Sequence, residues 1–310
     1  MAVGIVEVGS TITKLYVATH GEVVAAGMTN IQFKKHYSES GNILRSDIEQ
    51  LAGAVEGLLA SVPMVHVYGT SIFRDAPAEE VERVESRLAR LGAVTFSVVT
   101  ADMESDYTAI GAIRGLTYAG PVAVMVGGGG SIEVSVHEHS RVIGRANSPI
   151  GVVDVTHRFP DLCSSTTNTP TAEVIEWVAD RIAPIGLHAE ILVLAGGDFP
   201  LLYENAGYHL RPNPYSSDSQ KPYLLLNSDK LAQDEKFFHD LDLTAFKALT
   251  PEAPGWWDGA RAMCSCVSAV AAQLEARLLV PTRVSMVFGI ADMLALAVEE
   301  TRPAEDIVSP

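Results

Sequence analysis

Two short runs of small residues carry donors that suit an anionic oxygen: Gly9-Ser10-Thr11 near the start and Gly128-Gly129-Gly130-Ser131 further on. Glycine lets backbone N–H groups approach a phosphate closely. The alternative for each run is an ordinary hairpin turn that needs glycine only for φ > 0. Four consecutive glycines, 127–130, exceed the needs of one turn and favour a ligand. Glu7 ends an apolar run, where a carboxylate is costly without a partner. A hydrated Mg²⁺ and the Lys14 ammonium would each serve. Arg74 follows the Tyr68-Gly69-Thr70-Ser71 turn. Its guanidinium could grip phosphate bidentately, or pair with Asp75 or Glu79. Glu104 falls in the first turn of a helical stretch, where a carboxylate suits the helix dipole. Asp102 is the expected N-cap. Donor-lined turns and a cation are among the equipment of phosphoryl transfer.

The elements that must position these groups occur twice. Residues 3–28 and 122–147 align without a gap at an offset of 119, placing Glu7 on Val126 and Gly9 on Gly128. Each copy reads as three strands joined by two hairpin turns. Two turns of one kind, one per half, imply two phosphate-binding turns facing one cleft. After the first copy come a helix over 46–59 with Ser46 as N-cap, a strand over 62–68, a helix over 79–91, a strand over 94–99 and a helix over 104–114. After the second come a helix over 171–182, a strand over 190–195, a helix over 257–278, a strand over 284–288 and a helix over 290–299. Strands alternating with helices after hairpins give an α/β chain with mixed sheets. The expected domains are 1–118 and 119–310, the second interrupted by a Pro-, Asn-, Ser- and Tyr-rich insertion near 203–237.

The 47% hydrophobic content supplies a full core, and the net charge of −16 argues against a nucleic-acid or anionic-membrane binder. Three cysteines fit a reducing compartment, so a cytoplasmic protein is expected. Apolar runs reach only about ten residues, too short for a membrane span. Cys264-Ser-Cys266 has the spacing of a metal half-site but lies in an apolar helical run with no second cysteine pair.

Several segments, taken in order, resemble the exopolyphosphatase/guanosine-pentaphosphate phosphohydrolase (Ppx/GppA) family of the actin-like ATPase superfamily. Glu7-Val-Gly-Ser-Thr11 is similar to its first phosphate loop, Asp-x-Gly-Ser-Asn. Thr70-Ser-Ile-Phe-Arg-Asp-Ala76 is similar to Thr-Ser-Ala-x-Arg-Asp-Ala. Ala101-Asp-Met-Glu-Ser105 takes the place of a Gly-Glu-Glu-Glu-Ala helix start. Gly128-Gly-Gly-Ser131 with Glu133 resembles Asp-x-Gly-Gly-Gly-Ser-Thr-Glu, and Gly289-Ile-Ala-Asp-Met-Leu294 the closing Gly-Leu-Arg-Asp-Gly-Leu. The resemblance implies an actin-like (ribonuclease H-like) duplicated fold, two β-β-β-α-β-α-β-α domains flanking a cleft. It implies Mg²⁺-dependent release of terminal phosphate from polyphosphate or a phosphorylated guanosine nucleotide. Glu104 and Glu7 would be catalytic, with Glu7 the metal ligand. Gly9, Ser10, Thr11, Arg74, Gly128, Gly129, Gly130 and Ser131 would bind phosphate. A homodimer is an open expectation. The departures are Glu7 for Asp, Val126 for the second-loop Asp, and an acidic cluster thinned to Asp102 and Glu104. An apolar side chain cannot ligate Mg²⁺, so a non-catalytic binding protein is the rival reading. A third is an ATP-dependent kinase or ATPase, with adenosine at Gly196-Gly197.

Overall fold

The computed structural model describes residues 2–19, 22–139, 141–216, 224–227, 242–249 and 254–300. The chain divides into two compact units. The first runs to Tyr107 and also takes the C-terminal helix from Met286; the second is Thr108–Ser285. The expected division after residue 118 kept that last helix in the second domain. The helix groups with the first because Met286, Val287, Ile290 and Ala291 pack on Ile5, Ala18 and Val99.

In the first unit β1 (Ala2–Val8), β2 (Ile12–Thr19), β3 (Glu22–Asn30), β4 (Val65–Gly69) and β5 (Val94–Val98) form a sheet of order β3-β2-β1-β4-β5. β1 pairs antiparallel with β2 and parallel with β4. One face is covered by α2 (Arg45–Leu59) and α4 (Ala78–Ala89), whose Leu51, Val55, Val84 and Leu88 are fully buried. These apolar residues recur at helical spacing, so burial of one stripe, rather than propensity, holds each helix. The expected Ser46 cap does not form. The helix begins one residue earlier, at Arg45, and has no side-chain cap. Between these helices and strands lie α1 (Phe33–Ser40) and the short α3 (Ser71–Asp75).

The second unit repeats the plan. β6 (Val122–Gly127), β7 (Ile132–Glu138), β8 (Arg141–Ser148), β9 (Ile191–Ala195) and β12 (Leu278–Pro281) have the order β12-β9-β6-β7-β8. Two further strands, β10 (Arg211–Pro212) and β11 (Leu224–Asn227), extend it beyond β12. They fall in the expected insertion, of which residues 217–223 and 228–237 lie outside the described set. Strand for strand this is the sheet of the first unit, so the fold is α/β and actin-like, with the duplication visible in register. Glu7 pairs with Lys14, and 119 residues on Val126 pairs with Glu133.

The late elements depart from expectation. The helix expected over 257–278 is α10 (Ala260–Leu274), ended by Glu275 in the left-handed region at φ 52°. The strand expected over 284–288 is instead β12, which begins six residues earlier, and the last helix, α11, spans Met286–Glu300. Val284 and Val287 look β-forming, but Met286, Val287, Ile290 and Ala291 bury one helical face. No described helix is long and apolar enough to cross a membrane.

Candidate functional site

The first small-residue turn joins β1 to β2, and the Gly9 N–H closes it on the Ile12 carbonyl at 3.1 Å. The second joins β6 to β7, and the Gly128 N–H closes it on the Ser131 carbonyl at 3.0 Å. Both partners differ by 119, so the two turns share one construction. Among the described residues no acceptor takes the N–H of Ser10, Thr11, Gly129 or Gly130. These four groups remain as donors.

Each turn is braced by its own unit. In the first, Thr70 donates to the Val8 carbonyl from both its N–H and its hydroxyl, at 3.1 and 3.0 Å. The Lys34 N–H reaches the Ser10 carbonyl, and the hydroxyls of Ser10 and Ser71 meet at 2.5 Å. In the second, the N–H groups of Val152 and Val153 donate to the Gly128 and Gly129 carbonyls at 3.1 and 2.9 Å. These residues open α6 (Val152–Arg158). Gly151, just before it, packs so closely that a Cβ would lie 2.6 Å from Gly128, Gly129 and Gly130 backbone atoms. Only glycine fits there.

Four charged side chains gather beside the first turn. Glu7 and Lys14 face each other across β1 and β2, with Oε1 and Nζ 3.7 Å apart. Arg74 lies in the last turn of α3, and one of its Nη atoms donates to Glu104 Oε2 at 2.7 Å and to the Val99 carbonyl at 3.2 Å. That guanidinium therefore pairs with neither Asp75 nor Glu79. Glu104 lies in the first turn of α5 (Ala101–Ile113). The cap of that helix is Thr100, which accepts the Met103 N–H on its hydroxyl and the Glu104 N–H on its carbonyl. Asp102, the expected N-cap, is one residue inside.

Burial pushes the Glu104 carboxyl above its ordinary 4.5; the Arg74 hydrogen bond and charge oppose this, and the Glu7 charge adds to it. Burial alone would lower the Lys14 ammonium, but Glu7, then Tyr16 and Glu104, outweigh it and hold the group above 10.5. Glu104 thus senses Arg74, Glu7 and Lys14, and Lys14 senses Glu7 and Glu104. Lys14 enters this cluster although the sequence marked it only as a neutralising partner of Glu7. Its place was legible: two β residues seven apart about a four-residue turn stand opposite each other.

The other sequence candidates have structural duties. Cys264 and Cys266 are buried in α10, and burial raises both thiols to about 12. Asp198 caps α8 (Phe199–Asn205) through the Leu201 N–H and also binds Arg283. Val126 is buried in β6 and contacts no metal-binding cluster; none of three or more His, Cys, Asp or Glu exists among the described residues.

The chain is similar to solved structures over nearly its whole length. The Aquifex aeolicus Ppx/GppA phosphatase, type II variant, superposes with a TM-score of 0.70 at 19% identity, covering 96% of this chain and 99% of that one. An exopolyphosphatase from Cytophaga hutchinsonii gives a TM-score of 0.77 at 14% identity, covering 96% and 98%. At such identities the likeness establishes the fold. No curated protein matches in sequence. The Ppx/GppA phosphatase family model matches residues 17–195, a span that holds Arg74, Glu104 and the second turn but begins after the first. With more than half of its length matched, the chain belongs to the Ppx/GppA phosphatase family.

Proposed function

We propose that this protein hydrolyses a terminal phosphoanhydride bond of inorganic polyphosphate or of a guanosine nucleotide carrying a polyphosphate chain. The observation that carries the reading is the Arg74–Glu104 pair beside a turn with unclaimed N–H donors. The Ser10 and Thr11 N–H groups bind phosphate oxygens. Lys14 and Arg74 offset the charge that the leaving phosphate develops. Glu104, mostly buried and raised in pKa, orients a water and takes its proton. A phosphate arriving on Arg74 competes for the guanidinium and frees the Glu104 carboxylate for that task.

Glu7 fits a divalent cation in one respect: its Oε2 is buried and has no hydrogen-bond partner among the described residues. Glu7 would be the residue to hold Mg²⁺, whose chemistry here would be to neutralise charge on the phosphate. A specific observation also favours a second reading, of a protein that binds the anion without cleaving it. Val126 stands where the family pattern has a carboxylate, and an apolar side chain can neither ligate nor orient water.

Phosphate release from polyphosphate, pppGpp and ATP, each with Mg²⁺, tests the two. Release from either of the first two well above ATP supports the hydrolase. Saturable binding of polyphosphate without release supports the second reading.

A further inference from the structure

Both carboxylates beside the first turn already face a cation of the chain itself. Glu7 lies 3.7 Å from Lys14, and Glu104 lies 2.7 Å from Arg74. These are not loose surface pairs: the side chains of Glu7, Glu104 and Arg74 are each less than one-fifth exposed, and that of Lys14 is 27% exposed. Only one oxygen of the cluster, Glu7 Oε2, is buried without a hydrogen bond among the described residues. A protein that holds Mg²⁺ by itself needs a nearly complete oxygen shell and usually more than one carboxylate. A unit charge about 4 Å away also repels an incoming dication strongly when screening is incomplete.

We infer that Lys14 is a built-in cation of the first turn, which keeps the free protein from holding a divalent ion and admits one only as its phosphate complex. The inference rests on the reading of this turn as a phosphate site. A metal–phosphate complex brings its own anionic oxygens, so Glu7 Oε2 need supply only one ligand. The same phosphate gives Lys14 a new partner, which loosens its hold on Glu7. Lys14 is therefore a specificity-determining residue for the metal: it sets the order in which cation and anion bind.

Equilibrium dialysis of the intact protein against Mn²⁺, alone and with tripolyphosphate, tests this. The wild type retains little Mn²⁺ alone and retains it together with tripolyphosphate. Lys14→Met and Lys14→Gln raise the affinity for Mn²⁺ alone by about tenfold or more, as expected for removing a nearby like charge. Adding Glu7→Gln to either variant abolishes the gain. Lys14→Arg keeps the charge and behaves as wild type, which separates charge from any loss of folding. Wild-type protein that binds Mn²⁺ alone as tightly as the Lys14 variants overturns the inference. So does a failure of both neutral variants, shown folded by circular dichroism, to gain affinity. If tripolyphosphate does not bind the wild type, the function proposed above fails, while the comparison with Mn²⁺ alone still decides the role of Lys14.

Discussion

Arg74 and Glu104 are 30 residues apart in the chain and 2.7 Å apart in the fold, and the same guanidinium nitrogen also donates to the Val99 carbonyl. The pair ties the end of α3 to the first turn of α5, with the backbone at the end of the β5 segment as third partner. An ion pair this enclosed is strongly sensitive to loss of one member, because the other is left buried without a partner.

Arg74→Ala shifts the pH dependence of phosphate release in a definite direction. The Glu104 carboxyl already titrates above 4.5 through burial, and Arg74 is the main influence opposing that. Without the guanidinium the pKa rises further. Base catalysis needs the carboxylate, which is lost as pH falls through the folded pKa, so the acid limb of kcat/KM moves to higher pH. The lost phosphate contact lowers kcat/KM by about 10- to 100-fold on its alkaline side. An acid limb that stays in place separates Glu104 from the titration.

Glu104→Gln keeps the hydrogen bond from Arg74 and removes the base. Phosphate release falls by about 10²-fold or more. Stability changes with the opposite sign from the usual carboxylate. A raised folded pKa means that the native state binds the proton more tightly than the unfolded chain. Its contribution is present at low pH and is lost as pH rises from 4.5 through the folded value. Melting curves across that window flatten in the variant relative to wild type. Unchanged turnover would remove Glu104 from the mechanism.

How far these groups could be read in the sequence depended on range. The offset of 119 was local and periodic, so it foretold both hairpins and the equivalence of Glu7 with Val126 and of Gly9 with Gly128. The Arg74–Glu104 contact has no such signature, because nothing in local spacing says which surface pair a tertiary fold will bury. Arg74 was read as a phosphate ligand or a partner of its helix neighbours, and Glu104 as a helix-start carboxylate that the family resemblance makes catalytic, with neither assigned to the other. The displaced strand near the C-terminus has a comparable cause. Glu275 stops α10 by adopting a left-handed conformation that its residue type does not announce, and Leu278–Pro281 then pairs with β9. Local propensity favoured Val284–Phe288 instead.

Gly151→Ala tests the brace of the second turn. A Cβ at Gly151 meets the Gly128 carbonyl oxygen and the Gly129 and Gly130 backbone at 2.6 Å, and none of these is the end of a flexible side chain. The turn or the start of α6 must move. The cost is about 1–3 kcal/mol, the range for overpacking. Thermal unfolding should show it, together with weaker tripolyphosphate binding. A Gly53→Ala control, where nothing lies within 4 Å of the added atom, should hold or raise the melting temperature. Wild-type stability in Gly151→Ala would show that the turn is not held by this packing.

Val126→Asp distinguishes a slow hydrolase from a binding protein. Val126 is buried on β6 and stands opposite Glu133 on β7, itself only 2% exposed. An aspartate there sets two acids face to face, where like charges directly opposed are destabilising. Without a cation the variant loses about 1–3 kcal/mol. If a metal–phosphate complex reaches this strand end, the new carboxylate gives it a ligand that the wild type lacks. The melting temperature then recovers with Mg²⁺ plus tripolyphosphate, and phosphate release rises. If the strand end only lines an apolar interior, the loss persists whatever is added and release does not increase. Measuring both on one preparation decides between them. A variant that is less stable, unresponsive to metal and no faster would leave the binding-only reading in possession of the site.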